Sequence, residues 1–209
     1  MSTSSYTART RAPGPGAPLI LAFHGTGGDE HQFFDLAGQL VPGAGIVSPR
    51  GDVLEHGAAR FFRRRGEGVY DMDDLGERTQ KMAAFVGAHR AANPGTPVFG
   101  FGYSNGANIL AAVAMAHPDL FDRIGLLHPL IPWQPQPAPG LAGTPVLITA
   151  GRRDPICPWP LTERLIDWFG AQGASVTTSI HEGGHDLRQP ELIALRALLT
   201  APLHSRGEP

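Results

Sequence analysis

One serine lies in a setting that could make it a nucleophile. The mostly apolar run that begins at Val98 ends in a Gly-x-Ser-x-Gly pentapeptide formed by Gly102, Ser104 and Gly106. The alanine-rich stretch that starts at Ala107 predicts a buried helix. A serine on a sharp turn between a strand and a helix is exposed at the end of the strand, and glycine neighbours permit that turn. The alternative is a plain strand-to-helix turn, since the chain has 27 glycines.

A serine nucleophile needs a general base and an acid that orients the base. Asp154 follows the predicted strand 145–150, and His185 follows the predicted strand 174–181. The order of Ser104, Asp154 and His185 along the chain is the order that accompanies this kind of serine turn. Each match alone has an ordinary explanation, because Asp154 precedes a proline as turn residues often do and His185 could be a plain loop histidine. Together they predict a catalytic triad.

The tetrahedral intermediate of such a reaction needs backbone N–H groups that stabilise its oxyanion. Asn105, the residue after the serine, is one predicted donor. The glycine-rich turn after the first core strand predicts the other at Thr26, with Gly27 as the second choice. His24 opens this turn, and we interpret it as a structural residue that bonds the loop.

A competing motif overlaps the predicted base. Residues 181–185 match the H-E-x-x-H pattern of zinc peptidases, which needs both histidines on one face of a helix. Gly183 and Gly184 would cost such a helix about 2 kcal/mol relative to alanine. The preceding residues are β-branched and predict a strand. We therefore do not expect a metal site at these histidines.

The wider pattern predicts an α/β fold with a mostly parallel central sheet and helices on both faces. The predicted strands are 18–24, 44–48, 97–103, 123–128, 145–150 and 174–181. The predicted helices are 30–40, 72–92, 105–116, 161–171 and 189–200. Two long loops, 49–70 and 129–143, follow strands at the edge of the sheet where such folds place their sites.

The length of 209 residues favours one catalytic domain over 18–201, between a flexible arm at 1–17 and a tail at 202–209. Whether an edge strand forms near Tyr6 stays open. A net charge of −2 gives no reason to expect a nucleic-acid partner, and no apolar run suits a membrane. One cysteine, Cys157, and no signal-peptide pattern predict a cytoplasmic protein. The sequence does not fix the oligomeric state and leaves room for a homodimer.

Six short motifs together resemble the phospholipase/carboxylesterase family of α/β-hydrolases. They are His24-Gly-Thr-Gly-Gly, Ser48-Pro-Arg-Gly, Gly102-Tyr-Ser-Asn-Gly, Leu127-His-Pro-Leu-Ile-Pro, Gly151-Arg-Arg-Asp-Pro and Gly183-Gly-His. The resemblance implies the α/β-hydrolase fold, a Ser-His-Asp triad, no cofactor and hydrolysis of small-molecule carboxylic esters. An acyl thioesterase or a lysophospholipase is the alternative among enzymes. A non-catalytic binding module is the alternative from another class.

The loops at the same sheet edge should supply the pocket for an acyl or aryl group. Candidate wall residues are Phe61, Phe62, Tyr70, Tyr103, His128, Leu130, Ile131, Trp133, Ile156 and Trp159. About half of them should touch substrate. Arg63 and Arg64 favour a solvated loop face over an anion site. Cys157 is not at the serine turn, so we do not expect it to be the nucleophile.

Overall fold

The computed structural model describes residues 2–66 and 68–202. In chain order, its elements are β1 Ala8–Arg11, β2 Leu19–Phe23, α1 Phe34–Leu40, β3 Gly45–Pro49, β4 Val53–Glu55, β5 Ala58–Arg60, β6 Arg64–Gly66, β7 Val69–Tyr70, α2 Met72–Ala92, β8 Val98–Tyr103, α3 Asn105–Ala116, β9 Arg123–Leu127, β10 Pro145–Gly151, α4 Trp159–Ala171, β11 Ser175–His181 and α5 Gln189–Thr200. A 3-10 turn lies at Pro139–Leu141.

Seven of these strands form one sheet in the order β1-β3-β2-β8-β9-β10-β11. All neighbours are parallel except β1, which pairs antiparallel with β3. Every residue of β2, β3 and β9 is buried, because helices cover both faces of the sheet. The predicted fold class is therefore confirmed, and each of the six predicted strands overlaps a strand of this sheet.

Two apolar clusters lie on opposite faces of the sheet. One contains buried residues of α2, α3 and α4, and the other contains buried residues of α1 and α5. Three of the helices keep their predicted bounds within a residue, whereas α1 begins at Phe34 after a stretch of turns and α4 already begins at Trp159. None of the helices in the described residues is both long enough and apolar enough to cross a lipid bilayer.

The N-terminal segment departs from the loose arm that we expected at 1–17. Ala8–Arg11 pairs with Ile46–Pro49, and Tyr6 just before it is buried against Phe85 with ring centroids 5.3 Å apart. The prolines of the segment come after the strand, so they remove no donor from this pairing. Of the predicted tail 202–209, only Pro202 lies within the described residues.

The predicted long loop 49–70 contains two short antiparallel hairpins, β4-β5 and β6-β7. The Gly27 N–H, in the turn after β2, donates to the Ala59 carbonyl on β5 at 2.9 Å. This bond fixes the first hairpin beside the carboxyl end of β2. The hairpins therefore border the edge of the sheet at which β8, β10 and β11 end.

Candidate active site

Ser104 lies on the turn between β8 and α3 with φ at +52°, a conformation that side chains other than glycine rarely adopt. A Cβ on Gly102 would lie 2.5 Å from the Gly106 backbone, and a Cβ on Gly106 would lie 2.4 Å from the Phe23 carbonyl oxygen. Both positions therefore require glycine. The close packing holds the turn in its strained form, with the half-buried Ser104 side chain at the end of the strand.

The structure brings the three predicted triad residues together. Ser104 Oγ lies 3.0 Å from His185 Nε2, and His185 Nδ1 lies 2.6 Å from Asp154 Oδ2. Tyr103 O–H donates to the His185 carbonyl at 2.7 Å, which ties the histidine loop to the end of β8. The histidine is thus placed between a hydroxyl and a carboxylate, the arrangement in which an imidazole can act as a general base.

Asp154 is fully buried at its side chain and accepts bonds from four groups. Its Oδ1 accepts from the N–H groups of Ile156 and Cys157 at 2.8 and 3.0 Å, and its Oδ2 faces both His185 and His128. Burial would raise the pKa of Asp154, but these hydrogen bonds outweigh it and hold the pKa below the ordinary value. Asp154 is therefore ionised at neutral pH.

His128 and Glu191 extend the arrangement beyond Asp154, and sequence reasoning missed both roles. The His128 ring is fully buried, with Nδ1 at 2.9 Å from Asp154 Oδ2 and Nε2 at 2.9 Å from Glu191 Oε1. Burial would lower the pKa of His128, but the bonds to Glu191 and Asp154 raise it above its ordinary value. An imidazole between two carboxylates needs a proton on each nitrogen, so His128 is an imidazolium here.

Glu191 lies in the first turn of α5, and its Oε2 accepts from the Arg188 N–H at 2.7 Å. The side chain is almost fully buried. Burial would raise its pKa, but the hydrogen bond with His128 outweighs burial and the pKa is lowered. The only sequence signal for this pair was His128 directly after a buried strand, because Glu191 lies 63 residues further along the chain.

The turn after β2 fits the predicted oxyanion loop. The N–H groups of Gly25, Gly27 and Gly28 donate to the Gln32 side chain, to Ala59 and to Gly25 respectively. By contrast, the N–H groups of Thr26 and Asn105 donate to no acceptor among the described residues. Gly27, our second choice, is thereby excluded as a free donor.

His24 bonds the same loop, as its position suggested. Its Nε2 accepts from the Gly51 N–H at 2.9 Å, so the proton is on Nδ1, which lies 2.7 Å from the Gly25 carbonyl. Burial lowers the pKa of His24. The ring is therefore a neutral structural link between two loops.

A cavity of about 320 Å³ opens beside Ser104 and His185. Of the predicted wall residues, four line it: Tyr70, Tyr103, Leu130 and Ile156. Two arginines, Arg60 and Arg64, also line it, and sequence reasoning had favoured a solvated face for the second. A larger cavity of about 1,020 Å³ lies at the amino ends of the strands and contains no triad residue.

The other predicted wall residues do not line this cavity. Phe61 and Phe62 are fully buried, the first against His24 and the second against Tyr70. His128 and Ile131 are buried as well. Trp133 packs against Tyr70 from the far side, and Trp159 lies under the Arg152 guanidinium. The aromatic residues of the two loops thus pack mainly beneath the loops, which their sequence pattern does not distinguish from lining a pocket.

Cys157 is buried beside Asp154, and its Sγ donates to the His128 carbonyl at 3.2 Å. Burial raises the pKa of this thiol. A buried thiol that donates to a carbonyl is a poor nucleophile, because the thiolate is the reactive form.

The H-E-x-x-H segment does not form the helix that a zinc peptidase needs. His181 is the last residue of β11, and Arg153 N–H donates to the Gly183 carbonyl in the bend that follows. Of the three groups of described side chains with the atom spacing to hold a cation, Asp29-Glu30-His31 lies away from this segment. The other two lie at the triad and are His128-His181-Glu191 and His128-Asp154-His185. Both share His128, whose ring nitrogens already lie at hydrogen-bond distance from carboxylates.

No family model matches the chain. Over 176 residues the chain is 39% identical to "Putative hydrolase MhqD" of Bacillus subtilis (strain 168), and the match covers 83% of this chain and 88% of that protein.

Solved structures share the fold over nearly the whole chain. The protein Atu2452 of unknown function from Agrobacterium tumefaciens str. C58 is 53% identical with a TM-score of 0.90, covering 96% of this chain and 98% of that one. The Bacillus cereus carboxylesterase is 33% identical with a TM-score of 0.85, covering 93% of each chain. The fold and these relatives identify an α/β-hydrolase of the esterase type. The chain belongs to the family that includes MhqD and this carboxylesterase.

Proposed function

We propose that the protein hydrolyses carboxylic esters through an acyl-enzyme formed on Ser104. The observation that carries the proposal is the continuous chain from Ser104 Oγ to His185 and Asp154, with bonds of 3.0 and 2.6 Å, at the mouth of a cavity. Relatives that are named hydrolase and carboxylesterase support the same class of reaction.

In this mechanism Ser104 Oγ attacks the ester carbonyl while His185 Nε2 accepts the hydroxyl proton. The N–H groups of Thr26 and Asn105 stabilise the oxyanion. The intermediate collapses, the alkoxide takes the proton from His185, and the alcohol leaves. Water then attacks the acyl-enzyme, with His185 again as the base, and the carboxylic acid is released. Asp154 keeps the imidazole in the required tautomer throughout.

The size of the cavity supports small substrates. A volume of about 320 Å³ is at the lower end of the range for small-molecule sites, which is roughly 300–1,000 Å³. Its apolar walls, Leu130 and Ile156, suit a short or medium acyl chain or an aryl group. A long acyl chain would extend out of it.

A panel of 4-nitrophenyl esters from acetate to dodecanoate tests the proposal, with a thioester and a lysophospholipid included. We expect kcat/KM to be highest for the short and medium esters and to fall by at least about tenfold at dodecanoate, a difference of about 1.4 kcal/mol. Preference for the thioester or the lysophospholipid would favour the alternative enzyme classes. No turnover of any ester would contradict the proposal and favour a binding module.

A further inference from the structure

Two guanidinium groups face the cavity beside Ser104. Arg60 ends β5 and Arg64 begins β6, and Arg60 is only 4% exposed. They share a single carboxylate, since Glu55 lies 3.1 Å from Arg60 Nε and 2.9 Å from Arg64 Nε. None of the described residues that line the cavity is acidic. The two arginines and Glu55 together therefore leave one positive charge in excess at this wall.

Arg60 is held next to the predicted oxyanion loop. Its Nη1 donates to Thr26 Oγ1 at 2.8 Å, and its Nε lies 3.4 Å from the Phe62 carbonyl oxygen. Thr26, Arg60 and Ser104 all line the same cavity of about 320 Å³. A molecule small enough to occupy this cavity can therefore present an ester carbonyl to Ser104 and another group to the arginines.

Two other polar side chains of the cavity wall, those of Tyr70 and Asn108, already have partners. Tyr70 O–H donates to the Leu130 carbonyl and accepts from Asn108 Nδ2, and Asn108 Oδ1 accepts from the Leu130 N–H. Arg64 differs, because its hydrogen bonds within the described residues use only Nε. A guanidinium has five N–H donors, so both arginines keep donors for a further acceptor.

A buried charge is costly unless it is fully paired, and one carboxylate cannot pair two guanidinium groups. Burial accordingly lowers the pKa of Arg60. An anion in the cavity would complete the pairing with charge-assisted hydrogen bonds, which are about twice as strong as neutral ones. The planar fork of arginine matches the two oxygens of a carboxylate.

We propose that the substrates are esters that carry a carboxylate, which Arg60 and Arg64 bind while the ester carbonyl lies at Ser104. The inference rests on the proposed ester hydrolysis and specifies its substrate class. The competing explanation is that the arginines serve only to hold hairpins β4-β5 and β6-β7 together through Glu55. That explanation predicts no preference between a charged ester and a neutral ester of the same shape.

Calorimetric titration of the Ser104→Ala variant separates binding from cleavage. Two matched pairs place the charge on either side of the ester: 4-acetoxybenzoate with 4-acetoxybenzamide, and monomethyl adipate with methyl adipamate. We expect the carboxylate of at least one pair to bind at least about tenfold more tightly than its amide. Adding Arg64→Gln should remove most of this preference.

Arg63→Gln is the matched control. Arg63 is a neighbouring arginine whose side chain is 66% exposed and lies 3.8 Å from Asp74, and it does not line the cavity. The preference should persist in this variant. It removes one positive charge, as Arg64→Gln does, but leaves the cavity wall unchanged. If Arg63→Gln abolishes the preference as Arg64→Gln does, a general charge effect replaces the proposed site.

Equal affinity within both pairs, or binding of none of the four esters, overturns the carboxylate proposal. This result is independent of the proposed hydrolysis, which the wild-type protein tests separately by cleaving the neutral esters. If the wild type cleaves the ester bond of the neutral compounds and shows no preference for the carboxylates, ester hydrolysis is retained and the anion site is rejected. Selective binding without any cleavage by the wild type would retain the anion site and reject hydrolysis.

Discussion

Asp154 has a different kind of partner on each side of its carboxylate. The two backbone N–H groups on Oδ1 fix its orientation, while His185 and His128 share Oδ2. Because the Asp154 carboxylate cannot rotate, it holds His185 in one orientation. The His128 imidazolium balances its charge. The buried acid thus remains ionised, because these hydrogen bonds outweigh the effect of burial on its pKa.

Asp154→Asn should reduce kcat for ester hydrolysis by about 10³- to 10⁴-fold with little change in KM, because an amide favours the wrong tautomer of His185. Steady-state kinetics on a short 4-nitrophenyl ester measures both constants. Asp186→Asn is the control, since Asp186 is next to His185 in sequence but does not bond it. A larger loss in Asp186→Asn would mean that the acid was assigned wrongly.

His128 lies between the carboxylates of Asp154 and Glu191, and this His128 bridge makes the stability of the fold depend on pH. Folding raises the pKa of His128, so protonated His128 stabilises the folded state. Its contribution to the free energy of unfolding is complete below the pKa of the unfolded chain, about 6.5, and is lost as pH rises through the folded pKa. The pKa values of Asp154 and Glu191 are lowered, so their contributions are present above about 4 and are lost below it. The bridge therefore stabilises the fold most between about pH 5 and 6.5.

His128→Gln should lower the free energy of unfolding by about 3 kcal/mol near pH 6, because it leaves two buried carboxylates without a cation. The deficit should shrink as pH rises above about 6.5, by at most about 1.4 kcal/mol per pH unit. Urea unfolding across this range measures it. His117→Gln, at a histidine bonded to Gln80 on the surface, should change little at any pH. A deficit that is constant with pH would contradict a charged His128.

At the scale of single elements, the serine turn depends on how closely β8 and α3 approach β2. Gly106 lies against the carbonyl oxygens of Phe23 and His24, and neither can move because β2 is a central strand. Gly76, in the exposed part of α2, has open space where a Cβ would be. Gly106 therefore has no room for a side chain, whereas Gly76 does.

Gly106→Ala should destabilise the protein by about 1–3 kcal/mol or prevent folding, because the new methyl group overlaps the backbone. Gly76→Ala should stabilise it by about 0.5–1 kcal/mol, since alanine loses less entropy in a helix. Urea unfolding of both variants makes the comparison. Equal effects of the two substitutions would show that the tight approach at Gly106 does not constrain the fold.

The sequence predicted the core elements because continuous apolar runs and helical periodicity are local signals. It predicted the positions of Ser104, Asp154 and His185 because each follows a strand. It did not predict the hairpins of residues 53–70, whose two- and three-residue strands are too short to show alternation. The contacts of His128 with Glu191 depend on residues far apart in sequence, so only packing reveals them.

For the molecule as a whole, the described loops at the site contain short hairpins and a 3-10 turn, and no amphipathic helix covers the cavity. Such a helix is what opens at an oil–water interface in enzymes that are activated there. The rate on tributyrin should therefore rise smoothly with concentration through the solubility limit. A sharp increase in rate above the limit would reveal a lid and contradict an open cavity.

Covalent labelling tests whether Ser104 is the nucleophile. A fluorophosphonate should modify one residue per chain, and peptide mass spectrometry should locate the adduct on Ser104 as ester hydrolysis is lost in proportion. Ser104→Ala should take up no label and lose at least about 10⁴-fold in kcat. Labelling at another residue, or undiminished hydrolysis in Ser104→Ala, would show that Ser104 is not the nucleophile.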